Sequence, residues 1–124
     1  MDILLVEDNL LNQKVVTFHL KKYKHDVVCV ENGFDAIEQV KQRRFDLVLM
    51  DLMLPEMDGY EITHEIRKIE KEKGVENEMP IIAITANTLD NDREKCYAAG
   101  MNEYLAKPFT AEQLIDKIEA LLSK

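Results

Sequence analysis

Four runs of apolar residues punctuate the chain: Ile3-Leu4-Leu5-Val6, Val27-Val28-Cys29-Val30, Leu47-Val48-Leu49-Met50 and Ile81-Ile82-Ala83-Ile84. A weaker fifth follows at Tyr104-Leu105-Ala106. The runs are short and continuous rather than alternating, which predicts strands buried on both faces of a parallel sheet. Between them, apolar residues recur at helical spacing. Val16, Leu20 and Tyr23 share one face, Ile37 and Val40 another, Ile62, Ile66 and Ile69 a third, and Leu114, Ile118 and Leu121 a fourth. Asn9 and Asp58 are placed to cap helices, as is Thr110 with Gln113 three residues later. Gly100 falls where a helix needs a left-handed stop. The polar stretch from Lys73 to Met79 is expected to be a mobile loop.

Alternating strand and helix signals predict one domain over residues 1–124. The expected fold is a doubly wound, flavodoxin-like (βα)5 arrangement, with five parallel strands in the order 2-1-3-4-5 and helices on both faces. Right-handed crossovers then bring every strand's carboxyl end to one edge. Ligands in such folds bind at that edge, near the switch point between strands 1 and 3.

The residues at these strand exits change the picture from fold to chemistry. Strand 1 runs out into Glu7-Asp8 and strand 3 into Asp51, so three carboxylates are expected to converge. Two carboxylates about 4 Å apart repel by about 4 kcal/mol at an effective dielectric near 20. A cluster of this kind calls for a cation, and hard oxygen donors with open positions suit Mg²⁺. Strand 4 ends in Thr85, and strand 5 in Lys107-Pro108. A hydroxyl, an ammonium and a metal around one carboxylate would make an anion site beside Asp51. Taken singly, each acid and Thr85 reads as a helix cap and Lys107 as a surface charge; their shared edge favours a site.

Composition narrows the function classes. The formal charge of −8 argues against nucleic acid as a partner. No apolar run approaches the roughly 20 residues of a membrane span, so no membrane contact is expected. Cys29 and Cys96 lack metal-ligand or redox spacing and are expected to be reduced core thiols, consistent with a cytoplasmic location. His19, His25 and His64 are expected on the surface. Structure signals that run close to both termini suggest a domain cut from a longer chain.

The segments "ILLVEDN", "DLVLMDLMLPEMDGYE", "PIIAITAN" and "AGMNEYLAKPF" strongly resemble the receiver domain of two-component response regulators, in order and spacing, from Ile3 to Leu122. "VEDNLLNQKV" is similar in particular to receivers attached to hybrid sensor histidine kinases. The resemblance implies that Asp51 accepts a phosphoryl group. It implies Mg²⁺ ligation by Asp8, Asp51 and the Met53 backbone carbonyl, with Glu7 acting through metal-bound water. Thr85 and Lys107 would hold phosphoryl oxygens, Lys107-Pro108 would be a cis peptide, and Thr85 and Tyr104 would form the switch. Outside the resemblance, a core or surface role remains open for Tyr104. The partner would be a histidine kinase or a histidine phosphotransfer domain.

Further expectations follow from these roles. Leu10, Leu11 and Val15 at the start of helix 1, with Pro108 and Phe109, would dock the donor, although Val15 and Phe109 serve equally well as core. Met53 offers no polar side chain to orient water, and Asn87 does, so a long-lived phosphoryl group is expected. The isolated domain is expected to be a monomer. It would not be an enzyme beyond promoting its own phosphorylation and dephosphorylation. The alternatives are a stand-alone regulator, a receiver fold used only for binding, a flavin carrier and an aspartyl-phosphate hydrolase. Glu7-Asp8 would repel a flavin phosphate, and Met53 stands where such a hydrolase generally carries a second Asp.

Overall fold

The structure, a computed structural model, describes residues 1–52, 54, 57–85, 90–107 and 109–122, without the side chains of residues 90–92. The expectations placed on Met53, Asn87 and Pro108 lie outside the described residues. Five strands, β1 (Asp2–Val6), β2 (Asp26–Val30), β3 (Leu47–Asp51), β4 (Ile81–Thr85) and β5 (Glu103–Ala106), form one parallel sheet in the order β2-β1-β3-β4-β5. Helices α1 (Leu10–Lys22), α2 (Gly33–Gln42), α3 (Gly59–Glu72), α4 (Asp90–Ala99) and α5 (Ala111–Leu122) alternate with them. The predicted (βα)5 architecture and strand order are the observed ones.

Strand residues alternate between two cores, as the two-residue period of a strand requires. Leu4, Val6, Val48, Met50, Ile81 and Ala83 face α2, α3 and α4. Ile3, Leu5, Leu47, Leu49, Ile82 and Ile84 face α1 and α5. The central strands β3 and β4 are buried at every position. The edge strands are not: β2 has an exposed Cys29 and half-buried Val27 and Val28, and only Leu105 of β5 is buried. Cys29 is therefore a correction to the expected core thiol. An edge strand has a neighbour on one side only, and the Cys29 thiol lies 3.3 Å from Thr17 Oγ1. Cys96 is buried as expected.

The helix ends follow their sequence signals. Asn9 Oδ1 accepts from the Asn12 N–H and Asp58 Oδ1 from the Glu61 N–H. Thr110 and Gln113 cap reciprocally, each side chain accepting from the other's backbone N–H. Gly100 adopts φ +105°, which a side chain rarely tolerates.

The stretch from Lys73 to Met79 departs from the expected loose loop. Met79 is buried, and Arg67 on α3 holds the end of the segment. Arg67 Nη1 donates to the Met79 carbonyl (2.9 Å) and to Glu70 Oε1 (2.7 Å), while Glu70 Oε2 accepts from the Met79 N–H (2.7 Å). Arg67 Nε and Nη2 donate to the Gly100 carbonyl at 2.9 and 2.7 Å. One guanidinium thus joins α3 to the starts of β4 and β5. Both partners are largely out of solvent, and a buried pair broken on one side leaves an uncompensated charge. Arg67→Met is expected to lower stability by about 3 kcal/mol in urea unfolding. An unchanged unfolding midpoint would contradict this role.

Candidate functional site

The sheet register builds the site. Val6 pairs with Met50, the last step of the β1–β3 ladder. Glu7 continues the row of Ile3 and Leu5, and Asp51 continues the row of Leu47 and Leu49, so both acids leave the sheet on its α1 and α5 side. Glu7 is 3% exposed and Asp51 4%, while Asp8 is exposed. One oxygen from each of Glu7, Asp8 and Asp51 lies within 4.8 Å of the other two. Behind Asp51, Gly59 lets α3 start close to the strand end: a Cβ there would meet the Asp51 carbonyl oxygen at 3.0 Å.

Lys107 follows the end of β5 and supplies the opposing charge. Its Nζ lies 3.3 Å from Asp51 Oδ2 and 3.5 Å from Glu7 Oε2. The backbone aims it, because the Lys107 N–H donates to the Thr85 carbonyl at 2.7 Å. Thr85 is the buried last residue of β4, one step past Ile84, the register partner of Asp51. The structure therefore brings Glu7, Asp8, Asp51 and Lys107 to one point, with Thr85 at the adjoining strand end.

One ammonium faces three carboxylates, and the imbalance appears in Glu7. Burial raises its pKa above 4.5, the Asp51 charge and a hydrogen bond shared with Asp51 push the same way, and the Asn9 N–H and Lys107 oppose. Between the ordinary glutamate value and this raised one, the folded chain binds more protons than the unfolded chain, so this group's contribution falls as pH rises. Three close carboxylate oxygens without nitrogen or sulfur donors form a set that fits a small hard cation.

Apolar surface adjoins these charges. Leu10, Leu11 and Val15 are 60%, 68% and 48% exposed, so Val15 is not core, whereas Phe109 is half-buried against the α1 and α5 core. A cavity of about 460 Å³ runs from Glu7 and Lys107 along Val15, His19 and Phe109. Tyr104 is half-buried, with the Arg93 guanidinium 5.1 Å from its ring centroid. His64 is exposed as expected, but His19 and His25 are half-buried. Sequence reasoning missed Phe18, 66% exposed on α1, and Arg93. Phe18 lies three and seven residues after Val15 and Leu11, a helical spacing that could have revealed it.

The sequence profile of the response regulator receiver domain matches residues 3–119. Histidine kinase 3 of Arabidopsis thaliana is 41% identical over 133 residues, covering 94% of this chain and 13% of that protein. Hybrid signal transduction histidine kinase B of Dictyostelium discoideum is 41% identical over 129 residues, covering 98% of this chain and 7% of that protein. The chain thus spans a small fraction of these relatives. Among solved structures, the receiver domain of sensor histidine kinase PA1611 from Pseudomonas aeruginosa, described with a magnesium ion in its active site cleft, shares 43% identity at a TM-score of 0.87. That match covers 99% of this chain and 98% of the other. The receiver domain of Saccharomyces cerevisiae Ssk1, solved with the histidine phosphotransfer protein Ypd1, shares 34% identity at a TM-score of 0.89, covering 95% and 86%.

The raised Glu7 pKa has a measurable consequence. In metal-free solution, Glu7→Gln is expected to gain stability relative to the parent as pH rises past 4.5, with the gap closing in acid. A gap of opposite sign, or one independent of pH, would contradict the electrostatic description.

Proposed function

Because the chain belongs to the response regulator receiver domain family, we propose that it accepts a phosphoryl group on Asp51 from a partner phosphohistidine, as the receiver of a hybrid histidine kinase in a phosphorelay. The observation that carries this reading is the Lys107 ammonium lying 3.3 Å from Asp51 inside a cluster of carboxylates. Surface ion pairs are common, but a buried aspartate that shares its cation with a second buried acid is poised for chemistry rather than stability.

In this reading a carboxylate oxygen of Asp51 attacks phosphorus, the P–N bond breaks, and its electron pair leaves with the imidazole. Lys107 exchanges its contact with Asp51 for one with a phosphoryl oxygen, and the Thr85 hydroxyl holds another. Glu7, Asp8 and Asp51, with the Met53 carbonyl, would hold Mg²⁺, which when bound offsets the negative charge of the carboxylates and of the incoming oxygens. Catalysis is positioning and charge stabilisation, and the domain alone is no enzyme beyond making and losing its own acyl phosphate.

The exposed apolar residues Leu10, Leu11 and Val15, with Phe109 on the cavity and its sequence neighbour Pro108, form the landing for a helix of the donor, a histidine kinase or a histidine phosphotransfer domain. The output runs through Thr85 and Tyr104. Inward movement of the tyrosine alters the face made by α4, β5 and α5, and the Arg93 stack opposes that movement in the resting domain. A cation–π contact at an exposed site contributes about 0.5–1 kcal/mol, so its loss changes a two-state ratio by about two- to fivefold. The setting proposed is the cytoplasm; among the described residues no helix is long and apolar enough to cross a membrane.

Label from a phosphorylated histidine phosphotransfer protein is expected to require Mg²⁺ and Asp51, vanishing in Asp51→Ala. Joint Leu11→Ser and Phe109→Ser substitution should slow that transfer at least roughly tenfold while sparing labelling by acetyl phosphate. Equal loss with both donors would contradict the docking surface. Arg93→Ala should move the Tyr104 ring resonances toward their beryllofluoride-bound positions without any beryllofluoride present. Unmoved resonances would remove Arg93 from the switch.

A further inference from the structure

Gln13 has no part in the chemistry above, yet its side chain reaches back from the first turn of α1 to the acidic turn. Its Nε2 donates to the Glu7 carbonyl oxygen at 2.5 Å. A carbonyl only accepts, so the partner itself fixes the orientation of the amide. Topology creates the need for this bond. The parallel ladders of β1 end at Val6, which pairs with Val30 and Met50. The Glu7 N–H still finds the Val30 carbonyl at 3.0 Å, whereas the Glu7 carbonyl lies past the ladder and takes its donor from Gln13.

That carbonyl shares a rigid peptide plane with the Asp8 nitrogen. Holding it sets the direction in which Asp8 leaves the strand. The same helical turn holds Glu7 at its other end, because the Asn9 N–H donates to Glu7 Oε1 at 3.2 Å. The turn itself is fixed by Asn9, whose side chain and carbonyl accept from the N–H groups of Asn12 and Gln13, each at 3.0 Å. The start of α1 is thereby tied to the peptide from which both Glu7 and Asp8 project.

We infer that Gln13 is a positioning residue for cation binding: its amide holds the Glu7–Asp8 peptide so that the two carboxylates meet Asp51 with oxygens already converged. This rests on the reading of Glu7, Asp8 and Asp51 as the magnesium site. Pre-arranged carboxylates bind an ion more tightly than carboxylates that must first be gathered, because the ordering cost is met before the ion arrives. A plain brace for the helix would affect stability and leave the affinity for the ion alone.

The test is a magnesium titration followed by amide resonances of the parent, Gln13→Met and Asp8→Asn, alongside thermal unfolding without metal. Methionine matches glutamine in length and lacks the donor. Gln13→Met is expected to bind Mg²⁺ roughly tenfold more weakly, the low end of the cost of losing a group that orients a ligand. Its labelling by acetyl phosphate should need correspondingly more Mg²⁺ for half-maximal rate and reach the parent's maximum. An unchanged Mg²⁺ midpoint in folded Gln13→Met overturns the inference while leaving the magnesium site intact. A parent that binds no Mg²⁺, or an Asp8→Asn variant that binds as the parent does, overturns the site reading beneath it. Should Gln13→Met fail to fold, the parent alone decides: its Gln13 side-chain amide signals should shift with the same Mg²⁺ midpoint as the Asp8 amide. Signals that stay fixed overturn the inference.

Discussion

Glu7 and Asp51 stand side by side because Val6 and Met50 are register partners and because each acid extends a row of buried aliphatic side chains. The hydrophobic sheet therefore forces two carboxylates together in a place with little water, and a third, Asp8, comes with the turn. Repulsion of this kind is costly at low effective dielectric, and one ammonium cannot cancel it. Burial and the Asp51 charge keep Glu7 prone to hold its proton. The rest of the site reads as a response to that constraint: Lys107 arrives on a backbone bonded to the end of β4, and Gly59 lets α3 begin against the Asp51 carbonyl.

The same constraint links stability to function. Apolar burial of β1, β3 and β4 far outweighs the local cost of crowding charge at their ends. The strand core can thus hold an arrangement that would scatter in a flexible loop. The Arg67 network at the starts of β4 and β5 secures α3 and the C-terminal end of α4. Toward the carboxyl edge, Tyr104 is half-buried against the core, with the Arg93 guanidinium 5.1 Å from its ring centroid.

Much of this was legible in the sequence, and the reasons are physical. Continuous apolar runs encode central parallel strands, so β1, β3 and β4 could be read directly, while the strand order followed from what a doubly wound domain of this size favours. Helix caps at Asn9, Asp58 and Thr110 depend on side chain to backbone bonds within three residues, which spacing reveals. What escaped depends on long-range placement. Cys29 lies in a run as apolar as the others, and only its position on an edge strand exposes it. The segment ending at Met79 is polar in sequence but is tied down by Arg67 and Glu70 from a helix already passed. Gln13 reads as an ordinary polar helix residue until its bond to the Glu7 carbonyl is seen. The convergence of acids at the strand ends was inferable, since topology alone carries it; the distances to Lys107 were not.

The account stands or falls on Asp51 as the atom that receives the phosphoryl group within this cluster. A crystal structure of the chain grown with Mg²⁺ and beryllofluoride addresses that most directly. The account predicts beryllofluoride on an Asp51 oxygen, Lys107 turned to a fluorine, and the metal among Glu7, Asp8 and Asp51. Beryllofluoride on another carboxylate, or a metal bound away from these three side chains, would contradict it.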